Sequence, residues 1–198
     1  MGATDLQMGG AAMAPEDPQA AARTGLDHGS DHEHGHELDR EPAHGLDHPD
    51  EHWMRLALEE AARAAEEGEV PIGAVVTCDG ELVAAAHNRR EGDADPAAHA
   101  EFLAMELAAR RLGRWRLTGC TVYVTLEPCL MCAGLMVNSR VDRCVFGAAD
   151  PKGGAVGTLY DVSHDPRLNH EFEVRGGVLA DECADVLREF FRARRRRR

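Results

Sequence analysis

Residues 121–132 read Thr-Val-Tyr-Val-Thr-Leu-Glu-Pro-Cys-Leu-Met-Cys. The first six are β-branched, aromatic or aliphatic, the composition of a short buried strand. Glu127 and Pro128 end that run, and a proline suits the first turn of a helix, where its missing N–H is not needed. A strand that feeds directly into a helix is the building unit of an α/β fold. Cys129 and Cys132, in a Cys-x-x-Cys pair on the first turn, aim both sulfurs at one spot. The positive end of the helix favours their thiolate forms.

Upstream, Trp53, Leu56, Ala57, Glu60, Ala61 and Ala64 follow helical spacing, with Asp50 as the expected N-cap and Gly68 as the stop. Residues 72–77 and 81–86 read as two strands joined by Asp79-Gly80, a strong two-residue hairpin signal. A polar stretch over 88–96 leads to a helix over 97–112. Downstream, 141–147 reads as a strand, a long Gly-rich loop follows, and 172–175 makes a short last strand. The final helix places Cys183, Val186, Leu187, Phe190 and Phe191 at i, i+3, i+4, i+7 and i+8. That stripe predicts a docked face with at least one phenylalanine in the core. Strands alternating with helices predict a layered α/β domain.

A second short motif, His99-Ala100-Glu101, lies twenty-six residues before Pro128. A structural zinc site takes four protein ligands, and the chain has no second Cys-x-x-Cys. His99, Cys129 and Cys132 supply three, which leaves one position for water, the pattern of a catalytic site. Glu101 stands near without being a ligand, where a carboxylate can take a proton from that water and pass it on. This His-x-Glu…Pro-Cys-x-x-Cys spacing is the known signature of zinc nucleobase deaminases. Cys78, Cys120, Cys144 and Cys183 fall on strands, strand edges or the last helical stripe and are expected in the core.

The chain has 198 residues and a formal charge of −13, unevenly spread. Residues 1–50 hold eleven acids against Arg23 and Arg40, while 188–198 hold seven arginines against Glu189. The total argues against a nucleic-acid partner, but it conceals a basic end. Residues 1–50 also hold six of the eleven histidines and lack any apolar period, which predicts a disordered acidic extension before a folded domain over 51–198. Its charge predicts repulsion of RNA, or folding back on the arginines, at low salt. No apolar run reaches membrane-spanning length and the first fourteen residues lack a signal-peptide pattern, so a cytoplasmic protein with no membrane partner is expected.

Several segments resemble bacterial tRNA adenosine deaminases. They are Glu69-Val70-Pro71-Ile72-Gly73-Ala74-Val75, Asp95-Pro96-Ala97-Ala98-His99-Ala100-Glu101, Thr125-Leu126-Glu127-Pro128-Cys129-Leu130-Met131-Cys132-Ala133-Gly134, Val145-Phe146-Gly147-Ala148 and Leu179-Ala180-Asp181-Glu182-Cys183. The resemblance runs from about 52 to 195. It implies a three-layer α/β/α, cytidine-deaminase-like fold with a five-stranded mixed sheet, one Zn2+ per subunit and a homodimer. It also implies conversion of the wobble adenosine in a tRNA anticodon stem-loop to inosine. On that basis His99, Cys129 and Cys132 hold zinc, which activates water for attack at C6, and Glu101 protonates N1 and helps ammonia leave. Asn88 and Ala100 would meet the flipped nucleotide, and Asp150 and Lys152 would lie near bound RNA. Phe190, Phe191, Arg192, Arg194 and Arg195 match the basic end. Ala149 stands where the family often has arginine, which removes one phosphate contact.

Alternatives stay open at this level. Asn88 also reads as a turn residue after a strand, and the terminal arginines as a charged tag. The zinc signature equally fits a deaminase of a free base or nucleoside such as guanine or cytidine. An inactive zinc-folded RNA-binding module is a third reading, opposed by the intact Glu101.

Overall fold

The computed structural model of the chain describes residues 49–196. The extension expected over 1–50 therefore lies outside the described residues except for its last two positions, as do Arg197 and Arg198. Within the described residues the order is α1 (Pro49–Glu66), β1 (Gly73–Cys78), β2 (Glu81–His87), α2 (Ala100–Leu112), β3 (Cys120–Leu126), α3 (Leu130–Ser139), β4 (Arg143–Ala148), β5 (Glu173–Arg175) and α4 (Ala180–Arg196). Every expected element is present, with ends moved by one to three residues.

The five strands form one mixed sheet in the order β2-β1-β3-β4-β5. β1 pairs antiparallel with β2 and β3, whereas β3–β4 and β4–β5 are parallel. The hairpin forms as Asp79-Gly80 predicts, with φ of 51° and 80°, the left-handed pair that a twisted two-residue turn requires.

Side chains alternate across the sheet and divide the core in two. Ala74, Val76, Val122, Val124, Cys144 and Phe146 face α2 and α3, where Ala104, Met105, Ala133 and Met136 close over them. Val75, Tyr123 and Val145 face the other way, onto Met54 and Ala57 of α1 and Cys183 of α4. The result is three layers, α/β/α, with all four non-motif cysteines buried as expected. Among the described residues no helix is long and apolar enough to cross a membrane.

Two expectations need correction. Asp50 is not the N-cap: it lies inside the first turn of α1, 2% exposed, and accepts hydrogen bonds from Arg143, Arg175 and the Tyr123 hydroxyl. The final helix docks less deeply than its stripe predicts. Cys183 is its one buried residue, Phe190 is half-buried and Phe191 is 42% exposed, so neither phenylalanine enters the core.

Candidate active site

Two helix N-termini converge on the site. The helix expected from residue 97 starts only at Ala100, because Asp95 captures the preceding backbone: its Oδ1 accepts Ala97 N–H at 2.8 Å. His99 is thereby held extended in the N-cap position (φ −78°, ψ 149°), with its side chain making no cap hydrogen bond. The helix expected to open at Pro128 likewise begins later, with Cys129 extended at the N-cap of α3 (φ −76°, ψ 173°) and again no side-chain cap. Both side chains are thus released from capping and point toward a common centre, where two helix dipoles favour negative charge.

His99 Nδ1 lies 3.7 Å from Cys129 Sγ and 3.7 Å from Cys132 Sγ, and the three ligand atoms fall within 4.8 Å of one another. A tetrahedral zinc with ordinary Zn–S and Zn–N bonds sets an S–N edge of about 3.6 Å. One imidazole and two sulfurs at that spacing therefore fit zinc in both geometry and donor chemistry.

Hydrogen bonding from Cys132, reinforced by His99, pulls the Cys129 thiol down to about 3, while the same bond to Cys129 and burial push Cys132 upward. The bond to Cys129 raises His99. Glu101, 4% exposed in the first turn of α2, is raised by burial, with Cys132 pulling the other way. A carboxyl lifted toward neutrality beside a nucleophile is suited to carrying a proton both ways. The methyl of Ala100 is packed in the core, so only its backbone N–H, a first-turn donor without an intrahelical partner, is left for a ligand.

Asn88 is buried, and its segment is pinned at both edges: Asn88 N–H donates to Ile72 O at 2.9 Å, and Arg89 N–H to Ala98 O at 3.0 Å. The second bond brings Asn88 beside the residue preceding His99. Asn88, read from sequence as a nucleotide contact or else a turn residue, is thus a buried side chain on the segment paired with the residue before His99.

The loop after β4 is tied to the cluster through Glu127. This buried carboxylate accepts the N–H groups of Asp150 (3.1 Å), Val156 (3.3 Å) and Thr158 (3.0 Å), and the Thr158 hydroxyl. Gly154 forms a bridge to Cys129 and Ala155 N–H donates to Pro128 O at 2.8 Å. The other end of the loop, Asp150 to Lys152, lines a cavity of about 790 Å³. Phe191, Arg192 and Arg195 of α4 form its facing wall. Phe190 and Arg194 fall elsewhere, in a smaller groove of about 450 Å³ beside Ala65 and Gly68, with the guanidinium 6.0 Å from the Phe190 ring centre. The structure thus divides the sequence-derived set. His99, Glu101, Cys129 and Cys132 cluster together, Asp150, Lys152, Phe191, Arg192 and Arg195 share a cavity, and Phe190 and Arg194 stand apart from it.

Sequence reading missed Glu69 and Glu127. Glu69 is 2% exposed; its Oε2 accepts Asn88 Nδ2–H at 3.0 Å and its Oε1 accepts Gly92 N–H at 2.6 Å. The available signal was position: each is an acid set directly against an apolar strand or the cysteine motif, where a solvated acid is out of place.

Fold and site together define a deaminase, and a family model for MafB19-like deaminases matches residues 48–195. The chain belongs to the tRNA-specific adenosine deaminase family. It is 53% identical over 149 residues to the tRNA-specific adenosine deaminase of Bacillus subtilis (strain 168), covering 75% of this chain and 92% of that protein. It is 44% identical to the Aquifex aeolicus (strain VF5) enzyme of the same name, over 72% of this chain and 93% of that one. Among solved structures, one from studies of A-to-I editing by tRNA:A34 deaminases at the wobble position of transfer RNA superposes with a TM-score of 0.67. That likeness has 44% identity and covers 69% of this chain and 99% of that one. A guanine deaminase from Nitrosomonas europaea superposes with a TM-score of 0.58 at 31% identity, over 71% and 83% of the two chains.

Proposed function

We propose that this protein hydrolyses the wobble adenosine of a tRNA anticodon to inosine, releasing ammonia. The observation that carries the reading is the convergence of His99, Cys129 and Cys132 within 4.8 Å of one another, with the buried carboxyl of Glu101 against Cys132. Zinc held by those three residues would supply Lewis-acid activation of water at neutral pH. Glu101 accepts one water proton and delivers it to N1 of adenine, then carries the second water proton from the new C6 hydroxyl to the amino nitrogen, which leaves as ammonia. Asn88 and the Ala100 N–H hold the flipped nucleotide. An anticodon loop is already partly unstacked, which lowers the cost of placing one base in a closed site.

RNA is received on the wall formed by Asp150, Lys152, Phe191, Arg192 and Arg195, with Phe191 offering a stacking face. Phe190 and Arg194 make a secondary contact outside that cavity. The catalytic part begins with α1 at Pro49, two residues before the boundary expected at 51, and the acidic extension precedes it. The working unit is a homodimer with one Zn2+ per subunit, acting in the cytoplasm. An apolar groove of about 310 Å³ supports pairing, since Trp115 stands 56% exposed beside Phe102, Met105 and Leu135.

The likeness to a guanine deaminase favours a second reading, deamination of a free purine. The arginine-lined wall favours RNA, since a free base offers no phosphates to neutralise. Incubation with an adenosine-wobble tRNA, guanine and cytidine in parallel decides between them. Inosine in the tRNA, with guanine and cytidine unchanged, is the expected result. Conversion of guanine alone would establish the second reading.

A further inference from the structure

Glu69 is a buried carboxylate whose hydrogen bonds both come from N–H groups, one on the Asn88 side chain and one on the Gly92 backbone. A carboxylate only accepts hydrogen bonds, so the edge of the Asn88 amide facing it is the Nδ2 edge. Among the described residues no donor reaches Asn88 Oδ1, yet that atom is not among the buried polar atoms without a partner, so it is open to a ligand. With the proposed role of Asn88 in holding the nucleotide as its premise, we propose that Glu69 is a positioning residue: it fixes which way round the Asn88 amide meets the substrate. One Nδ2 hydrogen is committed to Glu69, and the substrate meets Oδ1 and the remaining Nδ2 hydrogen in a set order.

The hand of an amide matters because adenosine offers donors and acceptors at defined places. Its base presents an N6 amino donor beside an N7 acceptor, and within an RNA chain its sugar adds a 2′-hydroxyl. An amide free to rotate by half a turn exchanges acceptor for donor and mismatches two groups at once. Unpaired buried polar groups are what make such sites selective. The second oxygen of Glu69 explains why a carboxylate, rather than an amide, is needed here. Gly92 N–H can only donate and Asn88 Nδ2 can only donate, so both oxygens must accept.

Glu69→Gln tests this with almost no change of shape. The single oxygen of the introduced glutamine is claimed by Gly92 N–H, leaving its NH2 group against Asn88. The Asn88 amide must then turn over, presenting Oδ1 to that NH2 group and Nδ2 to the substrate. Inosine formation in wobble-adenosine tRNA is measured for wild type, Glu69→Gln, Asn88→Ala and the double variant, with melting temperature and metal content alongside. Glu69→Gln should reduce kcat/KM at least tenfold in the wild-type background and less than twofold in the Asn88→Ala background, because its effect passes through Asn88. Equal losses in both backgrounds, no loss from Glu69→Gln, or no loss from Asn88→Ala would each overturn the proposal. A second measurement does not depend on the variants being active. In the wild-type protein, one Asn88 Nδ2 proton should be protected from solvent exchange by NMR, and two freely exchanging protons would overturn the proposal. If wild type makes no inosine, the functional reading fails, while the proton measurement still decides the amide's orientation.

Discussion

Asp50, in the first turn of α1, accepts Arg143 Nη1 at 2.7 Å and Arg143 Nη2 at 2.9 Å, a two-pronged bond between residues ninety-three apart in sequence. Arg175 and the Tyr123 hydroxyl also bind the carboxylate, so one acid joins the first helix to β3, β4 and β5. Removing one member of a buried ion pair leaves the other charge uncompensated and costs about 3–5 kcal/mol. Asp50→Asn should therefore lower unfolding stability by about 3 kcal/mol in urea titrations at pH 7. A change below about 0.5 kcal/mol, the scale of surface substitutions, would contradict this role.

The same pair predicts an acid limb. Burial pushes the Asp50 carboxyl up, but hydrogen bonding and charge from Arg143, with Arg175 and Tyr123, outweigh it and hold the group below its ordinary value. A carboxyl depressed in the folded state contributes stability that is fully present above its unfolded pKa, near about 3.9, and lost as pH falls through the folded value. Wild-type stability should fall steeply below about pH 4, and Asp50→Asn should lack that component. Acid limbs of identical slope would count against it.

Glu127 should govern the loop that carries Asp150 and Lys152. In Glu127→Gln one acceptor oxygen becomes a donor facing N–H groups, and each buried donor left unpaired costs about 1–3 kcal/mol. Gly154→Ala should act alike, since a methyl there would collide with the Glu127 carboxylate. Both variants should melt earlier and show faster hydrogen exchange over residues 150–158. Exchange matching wild type would show that the loop is held by something else.

Arg192 and Arg195, facing Lys152 across the cavity, should contribute phosphate contacts. Replacing either by alanine should weaken tRNA binding across sequences and reduce the slope of log K against log salt by about one per lost contact. Arg194→Ala, outside that cavity, should change the slope less. Equal effects from all three would return the arginines to the status of a charged end.

The candidate site was legible in the sequence because its residues fall in two motifs of short spacing. Cys129 and Cys132 share a helical turn, Glu101 sits two places from His99, and Asp79-Gly80 dictates its own hairpin. What stayed hidden were carboxylates whose partners are distant in sequence. Asp50, Glu69 and Glu127 look like ordinary acids until the sheet brings Arg143, Asn88 and Thr158 to them. Helix starts were misplaced for a related reason. Asp95 and Pro96 delay α2, so that His99 is presented from an extended N-cap instead of a helical face. That neither Phe190 nor Phe191 is in the core also escaped, because the helical stripe reports apolar spacing and not how deeply the helix docks.

The most direct test of the central claim is inosine formation in a wobble-adenosine tRNA by Glu101→Ala beside wild type, with zinc measured on both proteins. Wild type should make inosine. The variant should retain one zinc per chain, since His99, Cys129 and Cys132 are untouched, while its turnover falls by at least about 10²-fold, the scale of a lost general acid–base. Inosine formation at the wild-type rate by zinc-loaded Glu101→Ala would contradict the account.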